Sequence, residues 1–372
     1  MDGIYLDDLY WDLPNGSNVS YNLSDLQFLY QNELGMVDHH KVPYTFVIVM
    51  IIIYVLTFAV AFLGNIGFCY VLRYSVKRKS TTISNFFMTS IAIGDIVMII
   101  CSVPFTKISI ILIGSWPFGS FACSMIQYIQ WILVLQKSFN MTAITLDRHL
   151  IVARPLKRRL SKRKAQLIVL FTYIFAGIIA LPSAATSSVV FVMFNGNSIG
   201  ICTEIWSSTF RRKLYTYSLM FLHFYLPLIF MTISNVHIAY TLLTRKTPGE
   251  ADLKRDKKIA SSKRKSVKIL VSMVTTFAVS WLPMEILTVI GEENPYFLKT
   301  TSVYMSWCVF QWFTFANCLA NPLLYFWVNK QYRNGFKHLF KRSIRRLSRS
   351  EISSFQRRKS ETSKTRYSVV HL

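Results

Sequence analysis

Seven stretches of this 372-residue chain run for about 20 residues or more with few charges, and no other feature limits the fold as strongly. They lie near 44–73, 82–108, 121–148, 165–190, 214–243, 267–291 and 299–328. As helices rising 1.5 Å per residue, each covers the roughly 30 Å of hydrocarbon in a bilayer. Helices of soluble proteins usually keep a polar stripe, and these stretches mostly lack one. The expectation is an all-α membrane protein built as a seven-transmembrane helix bundle.

Loop charge gives the orientation. The segments 73–81, 148–164, 245–268 and 329–372 hold 35 of the 42 Lys and Arg residues. The first 42 residues hold seven acids and one lysine. Basic loops stay on the cytoplasmic side, so the N-terminus is expected outside and the C-terminus inside. The net charge of +24 then belongs to a face turned toward lipid and cytoplasmic partners. Nucleic-acid binding is disfavoured because the basic runs flank membrane spans. No apolar signal sequence precedes the first span, which is expected to act as its own insertion signal.

The acidic tail carries three glycosylation sequons, at Asn15, Asn18 and Asn22, on the side that the charge rule places outside. A fourth, at Asn140, falls inside span three and is expected to stay unused. Of the six cysteines, Cys123 opens span three on the outside and Cys202 lies in the outer loop between spans four and five. Both face an oxidising compartment, so they are expected to pair. Cys69, Cys101, Cys308 and Cys318 lie in or at the edge of apolar spans and read as free.

The motifs come in a fixed order. Gly64-Asn65 is in span one, Asp95 in span two, Cys123 and Asp147-Arg148-His149 in span three, and Pro227 in span five. Phe277-Ala278-Val279-Ser280-Trp281-Leu282-Pro283 follows in span six and Asn321-Pro322-Leu323-Leu324-Tyr325 in span seven. This set resembles the rhodopsin-like G-protein-coupled receptors over about residues 44–341. Trp116-Pro117-Phe118-Gly119, Cys202-Thr203-Glu204 and the segment 315–327 look most like the neuropeptide Y and neuropeptide F receptors. The resemblance implies a receptor, not an enzyme, with no cofactor and no metal centre. It assigns Asp95, Asp147, Arg148, Pro227, Phe277, Trp281, Asn321, Pro322 and Tyr325 to the activation switch, to which Lys137 is added by its own charge. Asp147 and Arg148 would form a local lock that opens toward a G protein. Pro227, Pro283 and Pro322 each remove a helical hydrogen bond and bend their helices.

Some positions depart from that pattern. Lys137 stands where the family usually has a small polar residue that helps Asp95, Asn65 and Asn317 hold a sodium ion. A charge at mid-bilayer needs a partner inside the bundle, and Asp95 is an acid in the middle of span two, one helix away. The expectation is a Lys137–Asp95 pair in place of the ion. Thr172-Tyr173 replace a span-four tryptophan, Asn235 a span-five tyrosine, His149 a tyrosine, and Ser138 a branched aliphatic residue.

The resemblance places the ligand among the outer helix ends, with Thr106, Gln130, Glu204, Glu285, Glu292 and Gln311 as binding residues. Gln130 stands where amine receptors carry an aspartate, which disfavours an amine and suits an amide. Phe315 stands where opsins carry a lysine. Glu292 would pair with an arginine of an amidated neuropeptide ending Arg-Phe-amide or Arg-Tyr-amide. Inhibitory Gi/o coupling is implied by the resemblance alone. Other peptide classes, tachykinin- or prokineticin-like, are the first alternative, and a transporter or channel the second. The absence of a visible internal repeat disfavours the latter.

The expected divisions are an extracellular tail at 1–43, the helix bundle at 44–329, a membrane-surface helix at 330–342 and a basic cytoplasmic tail at 343–372. In the surface helix Tyr332, Phe336 and Phe340 share one face, which suits membrane lipid. The tail's Ser and Thr residues, among them Ser348, Ser350 and Ser360, suit receptor kinases and arrestin. The expected location is the plasma membrane.

Overall fold

The computed structural model describes residues 42–77, 84–105, 114–154, 160–194, 197–244, 253–294, 297, 300–328 and 333–337. Seven long helical rods dominate them. They are α1 (Tyr44–Lys77), α2 (Ser84–Ser102), α3 (Gly119–Ala153) and α4 (Lys162–Thr186). Rod α5 is composite: Thr209–Met220, a π-helical turn Phe221–Tyr225, then Leu226–Thr244. Two more follow, α6 (Leu253–Glu293) and α7 (Thr301–Val328). Residues 333–337 form one further short helical stretch.

Five rods are long and apolar enough to cross a membrane, over Tyr44–Leu72, Ser84–Phe105, Lys162–Thr186, Thr209–Leu242 and Val267–Glu293. The other two, α3 and α7, have 35 and 28 residues, so length is no obstacle. Their buried polar residues, such as Gln136, Lys137, Asn140, Asn317 and Asn321, lower their hydropathy. These groups face inward. Leu63, Leu167, Phe171, Ile233 and Val236 face outward and are more than half exposed. A soluble protein has the reverse arrangement. Here the outer surface matches lipid, and the helical form satisfies backbone groups that lipid cannot.

Helix α3 is the central post. It packs on α2, α4 and α5, while α1, α2, α7 and α6 close the ring on its other side. Inward-facing aromatics fill the core, with Phe68, Phe87, Phe224 and Phe277 essentially sealed.

Proline sites shape α5 and α7. Pro322 has no N–H, so the Cys318 carbonyl loses its helical donor. Asn65 Nδ2 takes that role at 3.0 Å, and also reaches the Ala61 carbonyl at 2.9 Å. In α5 the chain widens before Pro227, and the Leu226 N–H bonds back to the Phe221 carbonyl across a π-turn.

The all-α expectation needs one correction. Span four does not continue to 190: α4 ends at Thr186, and an antiparallel hairpin follows, β1 (Ser187–Phe194) with β2 (Asn197–Glu204). The valines at 189 and 190 fall within the expected span because no charge interrupts it before 190. β-branched residues also suit a strand, and here tertiary contacts decide. Of the expected membrane-surface helix only 333–337 lies within the described residues. There Gly67 and Gly335 leave room for Phe336 and Val71, where a Cβ would come within 2.5 Å and 2.7 Å of them.

Candidate functional site

The halves of α2, α3, α5, α6 and α7 on the hairpin side, with the hairpin, surround a cavity of about 410 Å³. Strand β2 lies over it, contributing Gly200, Ile201, Cys202 and Glu204 to its lining. Several contacts fix the hairpin, two of them on β2. The expected disulfide joins Cys123 at the top of α3 to Cys202, with Cα atoms 5.6 Å apart. The Trp116 N–H donates to the Gly200 carbonyl at 2.7 Å. Gly119 turns the chain from Trp116 into α3 at φ +76°, a left-handed conformation that suits glycine.

Four of the six expected ligand residues line this cavity: Gln130, Glu204, Glu285 and Gln311. Thr106 lies outside the described residues. Glu292 lies at the end of α6, away from the cavity lining, and pairs with Arg212 of α5 at 3.0 Å. Its neighbour Glu293 is more exposed and binds Lys213 at 3.1 Å and the Tyr217 hydroxyl. The carboxylate oxygens of Glu204 are engaged by the Ser183 hydroxyl and, at 2.9 Å, by Trp206 Nε1. The acids at the mouth are thus partnered within the chain.

Glu285 lies deeper, 4% exposed, with Oε1 at 3.0 Å from His223 Nε2. The His223 ring stands edge-on to both Trp131 and Trp281, at 5.8 Å and 4.9 Å between centroids. Among the described residues Gln130 Nε2 and Trp281 Nε1 are buried donors with no hydrogen-bond partner. Beneath, Phe277 packs on Phe224 with centroids 5.7 Å apart. Trp281 therefore touches the cavity above and adjoins the sealed core below.

One step further in, Lys137 Nζ lies 2.8 Å from Asp95 Oδ1, with both side chains buried. The same ammonium donates to the Asn317 carbonyl at 3.1 Å. One cation thus joins α2, α3 and α7. Asn65 faces Cys318 instead of the pair. The place of the expected span-four tryptophan is filled by hydroxyl and amide groups. Thr172 donates to Asn140 at 3.3 Å, while Asn140 and Gln136 donate to Ser90 at 3.2 Å and 2.8 Å.

At the opposite end of α3, Asp147 is buried, Arg148 half-buried, and the His149 ring lies 4.7 Å from that of His237 on α5. Asn321 and Pro322 are buried in α7 beside this half of the core. The side chain of Tyr325 lies outside the described residues, as do Asn15, Asn18 and Asn22.

Sequence reading missed His223, Arg212 and Lys213. A histidine four residues before a membrane-helix proline is a signal in itself, because an intramembrane ionisable group implies a function or a partner. Arg212 and Lys213 were also legible, as rare basic residues at an outer helix end facing the acids Glu292 and Glu293.

The family described as "7 transmembrane receptor (rhodopsin family)" matches residues 64–325. The RYamide receptor of Drosophila melanogaster is 33% identical over 345 residues, covering 88% of this chain and 74% of the relative. The RYamide receptor of Tribolium castaneum is 32% identical over 295 residues, covering 76% and 78%. Neuropeptide Y receptor type 2 of Homo sapiens is 29% identical over 288 residues, covering 76% and 74%. Ordered motifs, an inward polar interior, a disulfide-tied hairpin over a cavity and this match agree: the chain belongs to the rhodopsin family of seven-transmembrane receptors, multi-pass membrane proteins that are not enzymes.

Proposed function

We propose that this chain is a plasma-membrane receptor for an amidated neuropeptide ending Arg-Phe-amide or Arg-Tyr-amide, and that it signals through a heterotrimeric G protein of the Gi/o class. All seven rods then cross the bilayer, with the N-terminus outside. The observation that carries the reading is the cavity. Amide and indole donors line it, at Gln130 and Trp281, as does the acid Glu204, while Glu292 lies beyond the lining at the end of α6. A peptide with a neutral amide tip and a preceding arginine complements those groups. Two relatives bearing the name RYamide receptor support the same class.

In this reading the ligand arginine competes with Arg212 for Glu292. Its gain is the difference between two ion pairs, smaller than that of a pair made with a free acid. Peptide in the cavity presses on Trp281, and α6 shifts around Pro283 to open a cleft beside Arg148 for the G protein. Arrestin and receptor kinases act on the basic tail at 343–372, and residues 330–342 lie on the membrane.

Cells expressing the chain are challenged with a panel of amidated peptides, and inhibition of cAMP formation is read for wild type and Glu292→Gln. A response to Arg-Phe-amide or Arg-Tyr-amide peptides that weakens about tenfold or more in Glu292→Gln supports the reading. Surface expression without any response to the panel overturns it. A response confined to tachykinin-like peptides would favour the other peptide class.

A further inference from the structure

At the floor of the cavity an acid and an imidazole meet, and the role inferred for them rests on the peptide reading of this site. His223 is 1% exposed and sits in the π-turn of α5. Its Nδ1 lies 2.7 Å from the Leu219 carbonyl, which can only accept, so Nδ1 carries a hydrogen. Nε2 then faces Glu285 Oε1 at 3.0 Å, close but poorly aligned for a hydrogen bond. Without a proton between them, a ring lone pair would oppose carboxylate lone pairs in a buried site. With the proton on either atom, the two side chains together carry no net charge.

The surroundings add none. Trp131 of α3 and Trp281 of α6 pack on the ring, and Gln130 of α3 and Gln311 of α7 line the same cavity, all of them uncharged. Glu204, the other acid lining the cavity, is engaged by Ser183 and Trp206.

We propose that His223 neutralises Glu285 and so makes the cavity floor select an uncharged ligand terminus, with His223 as the specificity-determining residue. A solitary Glu285 would draw a cation to the deepest point of the site. Paired with His223, it offers a cation no net attraction, while burial there strips the cation of water. A carbonyl or hydroxyl finds two donors without partners, Gln130 Nε2 and Trp281 Nε1. Between the two indoles the imidazole has little room to turn away, and the π-turn ahead of Pro227 brings it to this position. The floor of the site is thus neutral, with Glu204 the other acid in its lining.

The test uses two synthetic peptides on cells expressing the full chain. One ends Arg-Phe-amide; its analogue carries a 4-aminomethyl cation on the final ring. Wild type is expected to favour the neutral peptide about tenfold or more. In His223→Gln the uncovered Glu285 narrows or inverts that preference, and His223→Gln with Glu285→Gln restores it. Equal response of wild type to both peptides, or an equal loss for both in His223→Gln, overturns the proposal. The pair is also read without ligand, from thermal unfolding of the purified wild type, both single variants and the double variant. The double variant is expected to lose less than the sum of the single ones. Additive losses overturn the pair. Silence to every amidated peptide would sink the peptide reading and leave this cycle to decide the pair.

Discussion

Lys137 shows how far one residue can be read before its neighbours are seen. An ammonium in the middle of a membrane helix must be neutralised, and Asp95 was the acid within reach of span three. The structure brings them to 2.8 Å. Lys137→Met is predicted to lower stability by about 3–5 kcal/mol, because it leaves Asp95 buried and alone. Lys137→Met with Asp95→Asn is predicted to recover part of that loss. Thermal inactivation of ligand binding in membranes measures both, and an unaffected single variant would show that the pair contributes little. A further expectation is that ligand affinity is the same in sodium and in a large organic cation, since the Lys137 ammonium, 2.8 Å from Asp95, would compete with a free ion there. His223 and Glu285 were less legible. Glu285 was visible as a deep acid, but its partner depends on the phase of α5. A π-turn changes that phase by one residue, and the local sequence Phe221–Tyr225 carries no marker of it beyond the nearby Pro227.

Between elements, the clearest unforeseen feature is a clasp at the outer ends of α5 and α6. Arg212 holds Glu292 and Lys213 holds Glu293. Sequence alone assigned Glu292 to the ligand, because pairing across two spans is invisible without their rotation about their axes. If a ligand arginine takes Glu292, removing the internal rival should help it. Arg212→Ala is predicted to raise peptide potency about three- to tenfold, while Lys213→Ala, whose pair is more exposed, is predicted to change it little. Dose–response curves for the two variants separate these outcomes; a loss of potency in Arg212→Ala would mean that Arg212 orders the site instead of occupying it. The same scale explains Asn65. Its amide caps the carbonyl that Pro322 leaves free, linking α1 to α7. Asn65→Leu is predicted to cost about 1–3 kcal/mol through that buried orphan, read as lower thermal stability of the purified receptor. The hairpin was hidden for a different reason: an apolar run with three valines fits both a buried helix and a strand, and only its packing over the cavity chooses.

The whole molecule was the most legible level, since its pattern is set by solvent more than by detail. Long apolar stretches and the family match agree on a multi-pass bundle, and the one-sided basic loops and the sequons predict which end lies outside. That topology has a direct check. Enzymatic removal of N-glycans is predicted to shift the wild type on a gel, and the shift should vanish in Asn15→Gln, Asn18→Gln and Asn22→Gln combined, although Asn140 retains its sequon. A shift that persisted would place some other segment outside. The outward faces, rich in leucine, phenylalanine and valine, are expected to make the chain dependent on lipid or detergent, with rapid aggregation when either is withdrawn.

The tethered ammonium of Lys137 has one more consequence, set by electric potential. A free cation that enters a receptor from one face travels through part of the membrane field, a fraction of the about 2.3 kcal/mol per charge and 100 mV of a full crossing. Lys137 cannot leave its helix, and with Asp95 it forms a unit without net charge. A field that would load or empty a mobile-ion site has nothing here to move. Response to agonist in a voltage-clamped cell is therefore expected to be the same at resting and at depolarised potential.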